Sequence, residues 1–178
     1  VNGDDVINDF DRTVIGNPQP DFIFGFNNQF GYKNFDLSIF FQGSYGNDIW
    51  NGVRVSHEGM ESTYNQFTST LNRWNGKGSS NTMPRAIYAD PNRNNRASTR
   101  WVEDGSYLRL KNLTFGYRFT QDWLKKIGAK SLRLYLSFDN LWTLTNYSGL
   151  DPEVGLWGLD YGIYPTSRVY MFGASVKF

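Results

Sequence analysis

His57 is the single histidine of this 178-residue chain, and there is no cysteine. Those two counts limit the chemistry available. A Ser–His–Asp triad could be assembled only around His57, and no nucleophile-elbow pattern accompanies it. Without cysteine neither a thiolate metal site nor a disulfide framework is possible. Glu103 and Asp104 are adjacent, so on a strand they face opposite sides, which does not suit two carboxylates sharing one glycosidic bond. There is no phosphate-cradling loop and no histidine-rich metal motif. The residues read as a chain that binds or conducts and does not catalyse.

Three groups could bind something. Residues 1–11 read VNGDDVINDFD. Asn2, Asp4, the Val6 carbonyl, Asn8 and Asp11 fall on positions three, five, seven, nine and twelve of an oxygen-ligand calcium loop. The pattern departs from that loop in three ways: Asp5 stands where a glycine makes the sharp turn, the last ligand is Asp, and the first carboxylate is absent. The alternative is a solvated turn rich in Asx residues. Trp101, followed by Val102, Glu103, Asp104 and Gly105, is either a substrate-facing aromatic beside carboxylates or an interfacial Trp before an Asp-Gly turn. Asn140, Trp142, Tyr147 and Asp151 combine flat aromatic faces with planar polar groups, the mixture that sugar recognition needs. Packing against neighbouring loops is the other use for each.

The elements that must position these residues are strands. Aromatic residues make up 17% of the chain, yet mean hydropathy is negative, which suggests rings concentrated on one face. Five segments alternate with a period of two. They run from about 21 to 30, from 33 through 42, from 106 to 119, from 131 to 144 and from 168 to 178. Phe22, Phe24 and Phe26 form one row. Phe35, Leu37, Ile39 and Phe41 form the second, Leu113, Phe115, Tyr117 and Phe119 the third, and Leu132, Leu134, Leu136 and Phe138 the fourth. The third row meets Arg109 and Lys111 when continued towards the N-terminus, so a bulge, or a position above the bilayer, is expected there. Tyr170, Phe172, Ala174, Val176 and Phe178 form the fifth row.

Short connections near 31–33 and 120–130 alternate with long polar stretches of about 51–105 and 145–167. Together with strands longer than usual for a soluble sheet, this is the pattern of an all-β, antiparallel transmembrane barrel of an outer membrane, with periplasmic turns and extracellular loops. No apolar run is long enough for a transmembrane helix. The rival is a soluble β-sandwich, which also alternates. Residues 1–20 then form an extracellular segment and 21–178 the barrel strands with their loops. Five strands cannot close a barrel, because an open edge in lipid leaves backbone groups unpaired at several kcal/mol each. The remaining strands are expected from an N-terminal remainder of the same polypeptide. Lys plus Arg number 18 against 17 Asp plus Glu, so no charge field points to nucleic acid.

Several motifs carry a resemblance. STRWVEDGSYLRLKNLTFGY (98–117) and NLWTLTNYSGLDPEV (140–154) are accompanied by VIGNPQPDFIFGF (14–26), FDLSIFFQGSYGNDIWN (35–51), LNRWNGKGSSNTMPRA (71–86) and YPTSRVYMFGASVKF (164–178). In this order they resemble the C-terminal end of the SusC/RagA family of TonB-dependent outer-membrane transporters. The resemblance implies a plugged barrel of about twenty-two strands, of which this chain supplies the last five. It also implies a SusD-like surface lipoprotein as partner, TonB as the source of energy, and import of oligosaccharides or, second, peptides. The closing row of Tyr170, Phe172, Val176 and Phe178 resembles the signal read by the barrel assembly machinery. A passive porin and a non-transporting adhesin are the alternatives.

Overall fold

The structure is a computed structural model that describes residues 3, 5, 6 and 8–178. In chain order the strands and helix are β1 (Phe22–Tyr32), β2 (Phe35–Tyr45), β3 (Asp48–Asn51), α1 (Gly52–Glu58), β4 (Val102–Asp104), β5 (Tyr107–Phe119), β6 (Ser131–Thr145), β7 (Leu159–Asp160) and β8 (Val169–Lys177). The chain divides into two units. One comprises Val1–Gln19, Asn47–Asp104 and Tyr147–Ile163; the other comprises Pro20–Gly46, Gly105–Asn146 and Tyr164–Phe178. No helix among the described residues is long and apolar enough to cross a membrane.

The second unit is a five-stranded antiparallel sheet in the order β1-β2-β5-β6-β8. All five alternating segments of the sequence are found there. Cross-strand partners lie on the same side of a sheet, so the register fixes its two faces. One line runs Phe30–Leu37–Phe115–Leu136–Phe172, and the next Tyr32–Phe35–Tyr117–Leu134–Ala174. The apolar rows of the separate strands therefore merge into one surface. Asn28 is a polar member of that surface, for which the structure gives no reason. Rings gather at its two ends. Tyr117 packs edge-on against Phe35 and Phe119, with 4.6 Å between ring centroids in each pair. At the other end Phe22 stacks on Tyr45 at 5.3 Å. The 11 residues of β1 extend about 36 Å along the strand. Tilted by about 45°, they cover about 25 Å, the height of a barrel's apolar band.

The opposite face is polar. Asn112 Nδ2 donates to Asp139 Oδ1 (2.7 Å) and to Ser137 Oγ (3.2 Å), and Thr114 Oγ1 shares a 2.8 Å hydrogen bond with Ser137. Arg133 reaches across β5 to Asp36, Nε donating to Oδ1 at 2.9 Å. It crosses over Gly116, where an added Cβ would lie 2.6 Å from both side chains. The distribution is inverted relative to a water-soluble sheet: Arg109 is 3% exposed while Phe172 is 71% exposed.

The break in the third row is a bulge. β2 pairs Phe40 with Asn112 but Phe41 with Leu110, and β6 pairs Asp139 with Asn112 but Trp142 with Leu110. Lys111 is the extra residue of β5, and Asn140 (φ 52°) takes a left-handed conformation opposite it. The insertion flips the parity of the strand. Leu110 and Leu108 continue the apolar row, while Arg109 turns to the polar face, donating to Thr143 Oγ1 (2.9 Å) and Thr166 Oγ1 (3.3 Å).

The first unit contains structure where the sequence suggests long polar loops. β4, β3 and β7 form a three-stranded sheet, antiparallel between β3 and β4 and parallel between β3 and β7. Strands of three, four and two residues are too short to show a period. Asp48 ties in the N-terminal segment, donating its N–H to the Asn17 carbonyl and accepting from Asn17 N, both at 2.8 Å. Ile49 and Trp101, both fully buried, are the apolar centre of this unit.

Candidate ligand cavity

The first unit encloses a cavity of about 450 Å³, within the size range of small-ligand pockets. Its polar lining is Asn51, Arg54, Glu58, Ser148 and Asp160, and its apolar lining includes Val53, Phe67 and Leu150. The polar side starts from the helix cap. Asn51 Oδ1 accepts from Arg54 N at 3.0 Å, satisfying a donor that the first turn of α1 leaves open. Its Nδ2 donates to Glu103 Oε1 (3.1 Å) and Ser148 Oγ (3.3 Å). Gly52 follows because a Cβ there would meet the Tyr161 ring at 2.5 Å.

Arg54 sits between two carboxylates. Its NH1 is 2.8 Å from Glu103 Oε1 and its NH2 2.9 Å from Glu58 Oε2. Ser69 Oγ donates to Glu58 Oε1 at 2.7 Å, while Ser148 N (2.8 Å) and Oγ (2.9 Å) donate to Glu103. Burial alone would push Glu103 up, but hydrogen bonds from Arg54 and Ser148 outweigh it and hold the carboxyl below its ordinary range. Burial works against charge on Arg54 too, and the two glutamates reverse it. The guanidinium of Arg100, which lacks such pairing, is pushed down by burial.

Asp160 forms the far wall. Tyr147 Oη donates to Asp160 Oδ2, and Gly162 N (2.8 Å) and Ile163 N (3.2 Å) donate to Oδ1. Burial, followed by this carboxylate acceptor, raises the Tyr147 phenol far above its ordinary value. Every charge of the floor is thus met by the protein itself. What remains for a ligand is the apolar wall of Val53, Phe67 and Leu150. Hydrogen bonds to charged groups are worth about 1.5–3 kcal/mol, so Tyr147→Phe should loosen the turn after β7. Faster amide exchange at residues 159–163 in the full-length protein is the expected result.

Of the residues singled out from sequence, Glu103 supports the cavity floor through Arg54, Asn51 and Ser148, and the others do not line the cavity. Trp101 is neither substrate-facing nor interfacial. It is buried, its Nε1 donates to the Arg96 carbonyl at 3.2 Å, and Arg100 lies over its ring at 4.3 Å. Trp142 belongs to the apolar face of the sheet, in line with Leu110 and Phe41. Asn140 holds the β6 irregularity, Nδ2 donating to the Ser167 carbonyl at 2.9 Å. Tyr147 is turned inward onto Asp160, and Asp151 is buried with Oδ1 accepting from Glu153 N at 3.0 Å. The cavity is lined instead by their neighbours Ser148 and Leu150, which carry no distinguishing sequence signal. Phe67 could have been found only through its stacking on His57 at 5.0 Å.

Of the calcium-loop positions, Asn2 and Asp4 lie outside the described residues. Asn8 and Asp11 close a capping box on a single 3-10 turn: Phe10 N donates to Asn8 Oδ1 (2.8 Å) and Asn8 N to Asp11 Oδ2 (2.9 Å). Among the described residues no group of three or more acidic, His or Cys side chains could hold a metal. Tyr170, Phe172, Val176 and Phe178 are exposed, the first three along β8 and Phe178 just beyond it. His57 is occupied by its own helix, Nδ1 bonding to the Val53 carbonyl at 2.9 Å.

No family model matches the chain. It is 40% identical over its full length to TonB-dependent receptor P3 of Formosa agariphila, and 29% identical over 99% of its length to TonB-dependent receptor SusC of Bacteroides thetaiotaomicron. It spans only 18% and 17% of those relatives. Among solved structures, the RagAB peptide importer in its closed-closed state superposes with a TM-score of 0.81 at 26% identity, over 93% of this chain and 18% of that one. The RagAB peptide transporter superposes at 0.75 and 28% identity, over 86% and 17%. An inside-out sheet, its aromatic belts and a match running from end to end lead to one assignment: the chain belongs to the SusC/RagA family of TonB-dependent receptors and forms part of their outer-membrane β-barrel.

Proposed function

We propose that this chain supplies part of the wall and the substrate-contacting loops of an energised importer that carries oligomers too large for passive diffusion across an outer membrane. The observation that carries this reading is the inverted sheet, with apolar side chains outward and a hydrogen-bonded polar face inward, which suits a barrel lining an aqueous or plugged lumen. The working complex includes the rest of the barrel with its plug, a SusD-like lipoprotein, and TonB acting on the plug.

Peptides fit the cavity better than oligosaccharides do. The rings that suggested sugar recognition, Trp101, Trp142 and Tyr147, are buried or on the apolar sheet face. The wall that the cavity leaves uncommitted is Val53, Phe67 and Leu150, which suits an apolar side chain. The RagAB neighbours are named as importing peptides. Burying a Phe-sized contact is worth about 1.5–3 kcal/mol. Phe67→Ala in the full-length transporter should therefore weaken capture of a labelled apolar oligopeptide at least tenfold.

The test is uptake by cells with and without this protein. Labelled peptide uptake should fall on deletion and on dissipating the proton gradient. Uptake that persists without the gradient indicates a passive pore. Loss of labelled glycan uptake with peptide uptake intact would reverse the choice of substrate.

A further inference from the structure

The β5–β6 connection is an ordered feature, not a slack turn. Its 3-10 segment Asp122–Ile127 is anchored by Leu124, which is buried, and closed by Gly128 (φ 75°) and by Ala129 N donating to the Leu124 carbonyl at 3.0 Å. The same segment exposes Trp123 (47%) and Ile127 (64%), two side chains that water disfavours. Around them are exposed cations: Lys125, Lys126, Lys130 and Lys177. The acids of this end, Asp122 and Asp36, are each already paired, with Lys125 and Arg133. Lys130 Nζ lies 3.1 Å from the Phe178 carbonyl oxygen, at the end of the apolar row of β8. A hollow of about 320 Å³ separates Lys125 from Lys130, with Gly128, Ala129, Thr120 and Gln121 completing it.

We propose that this turn binds the headgroup of an anionic glycerophospholipid from the leaflet that meets the turn end of the barrel. The phosphate enters the hollow between Lys125 and Lys130, and Lys126 and Lys177 add to the field. Trp123 and Ile127 sit at the boundary between headgroups and acyl chains, where a Trp ring is favoured. The pairing of cations with adjacent apolar anchors at the rim of a lipid-facing surface selects a lipid over a free anion, which has no use for Trp123 or Ile127. The proposal rests on the reading that the apolar face of the sheet meets lipid.

The experiment uses the full-length transporter in detergent, titrated with phosphatidylglycerol or phosphatidylcholine and read by native mass spectrometry. The wild type should retain phosphatidylglycerol in preference to phosphatidylcholine. Lys125→Gln with Lys130→Gln should weaken phosphatidylglycerol about thirtyfold, the effect of two lysines near an anionic surface, and leave phosphatidylcholine unchanged. Trp123→Ser with Ile127→Ser should weaken both lipids. Equal retention of the two lipids by the wild type, or full phosphatidylglycerol binding by the lysine double variant, would overturn the proposal. Displacement of the lipid by millimolar inorganic phosphate would also overturn it in favour of a bare anion site. Heat-modifiable migration of each preparation reports the barrel separately. Its loss in the wild type sinks the membrane reading, and its presence without lipid preference sinks only this site.

Discussion

Leu136→Arg should sharply reduce the amount of assembled barrel in the outer membrane. Leu136 lies in β6 between Phe115 and Phe172 on the outward face. An arginine on a barrel's lipid face costs about 2–4 kcal/mol at the bilayer midplane and little near the interfaces. The expected readout is loss of the heat-modifiable band, with Leu136→Ile assembling normally. A packed soluble core would suffer from the same arginine, so a second measurement is needed. A spin label on Leu136→Cys should collide with dissolved oxygen far more than with an aqueous nickel complex. Equal collision with both would mean that lipid does not cover this face.

Glu103→Ala should release the cavity floor. Its carboxylate receives Arg54, Asn51 and Ser148 together, so the substitution leaves Arg54 with Glu58 alone and strands the cap and the 148 backbone. Removing one partner of a buried pair costs about 3–5 kcal/mol; partial exposure of Arg54, 25% at the side chain, puts this case at the low end. Residues 51–58 and 147–150 of the full-length protein should exchange amide protons faster and be cut sooner by protease, while the sheet keeps its protection. Arg54→Met with Glu103→Leu should recover much of the loss, because the two charges go together. Unchanged exchange in Glu103→Ala would remove the network from any role in holding the cavity. The pH dependence follows from the depressed Glu103 value. Its stabilisation is complete above the ordinary glutamate value of 4.5 and is lost as pH falls through the lower value of the folded protein. Acidification below pH 4.5 should therefore loosen this unit more in the wild type than in the Arg54→Met, Glu103→Leu variant.

The five long strands were legible in the chain because alternation is local: each strand carries its own record of which side chains share a face. The boundaries moved by three residues or fewer, as β1 ending at Tyr32 and β2 starting at Phe35 show. The break at Arg109 and Lys111 could be seen as well, since a parity fault interrupts the row. Which of its two expected causes applied could not. Only the partners Phe41 and Trp142, brought opposite Leu110 by folding, turn the fault into a bulge that sends Arg109 to the polar face and Trp142 to the apolar one.

The cavity was hidden for a different reason. β3, β4 and β7 are too short to have a period, and β7 joins β3 from 109 residues further along the chain by register alone (Asn51 with Asp160). Whether a polar or aromatic residue in such a segment faces a ligand or the interior depends on contacts made by residues distant in sequence. Trp101 between two arginines, Tyr147 on Asp160 and Asp151 in its own turn were all drawn inward. A buried ring or carboxylate in so small a core is stabilised once it finds its partner. Alternation within each strand determined the two-faced sheet; tertiary pairing decided which loop residues line the cavity.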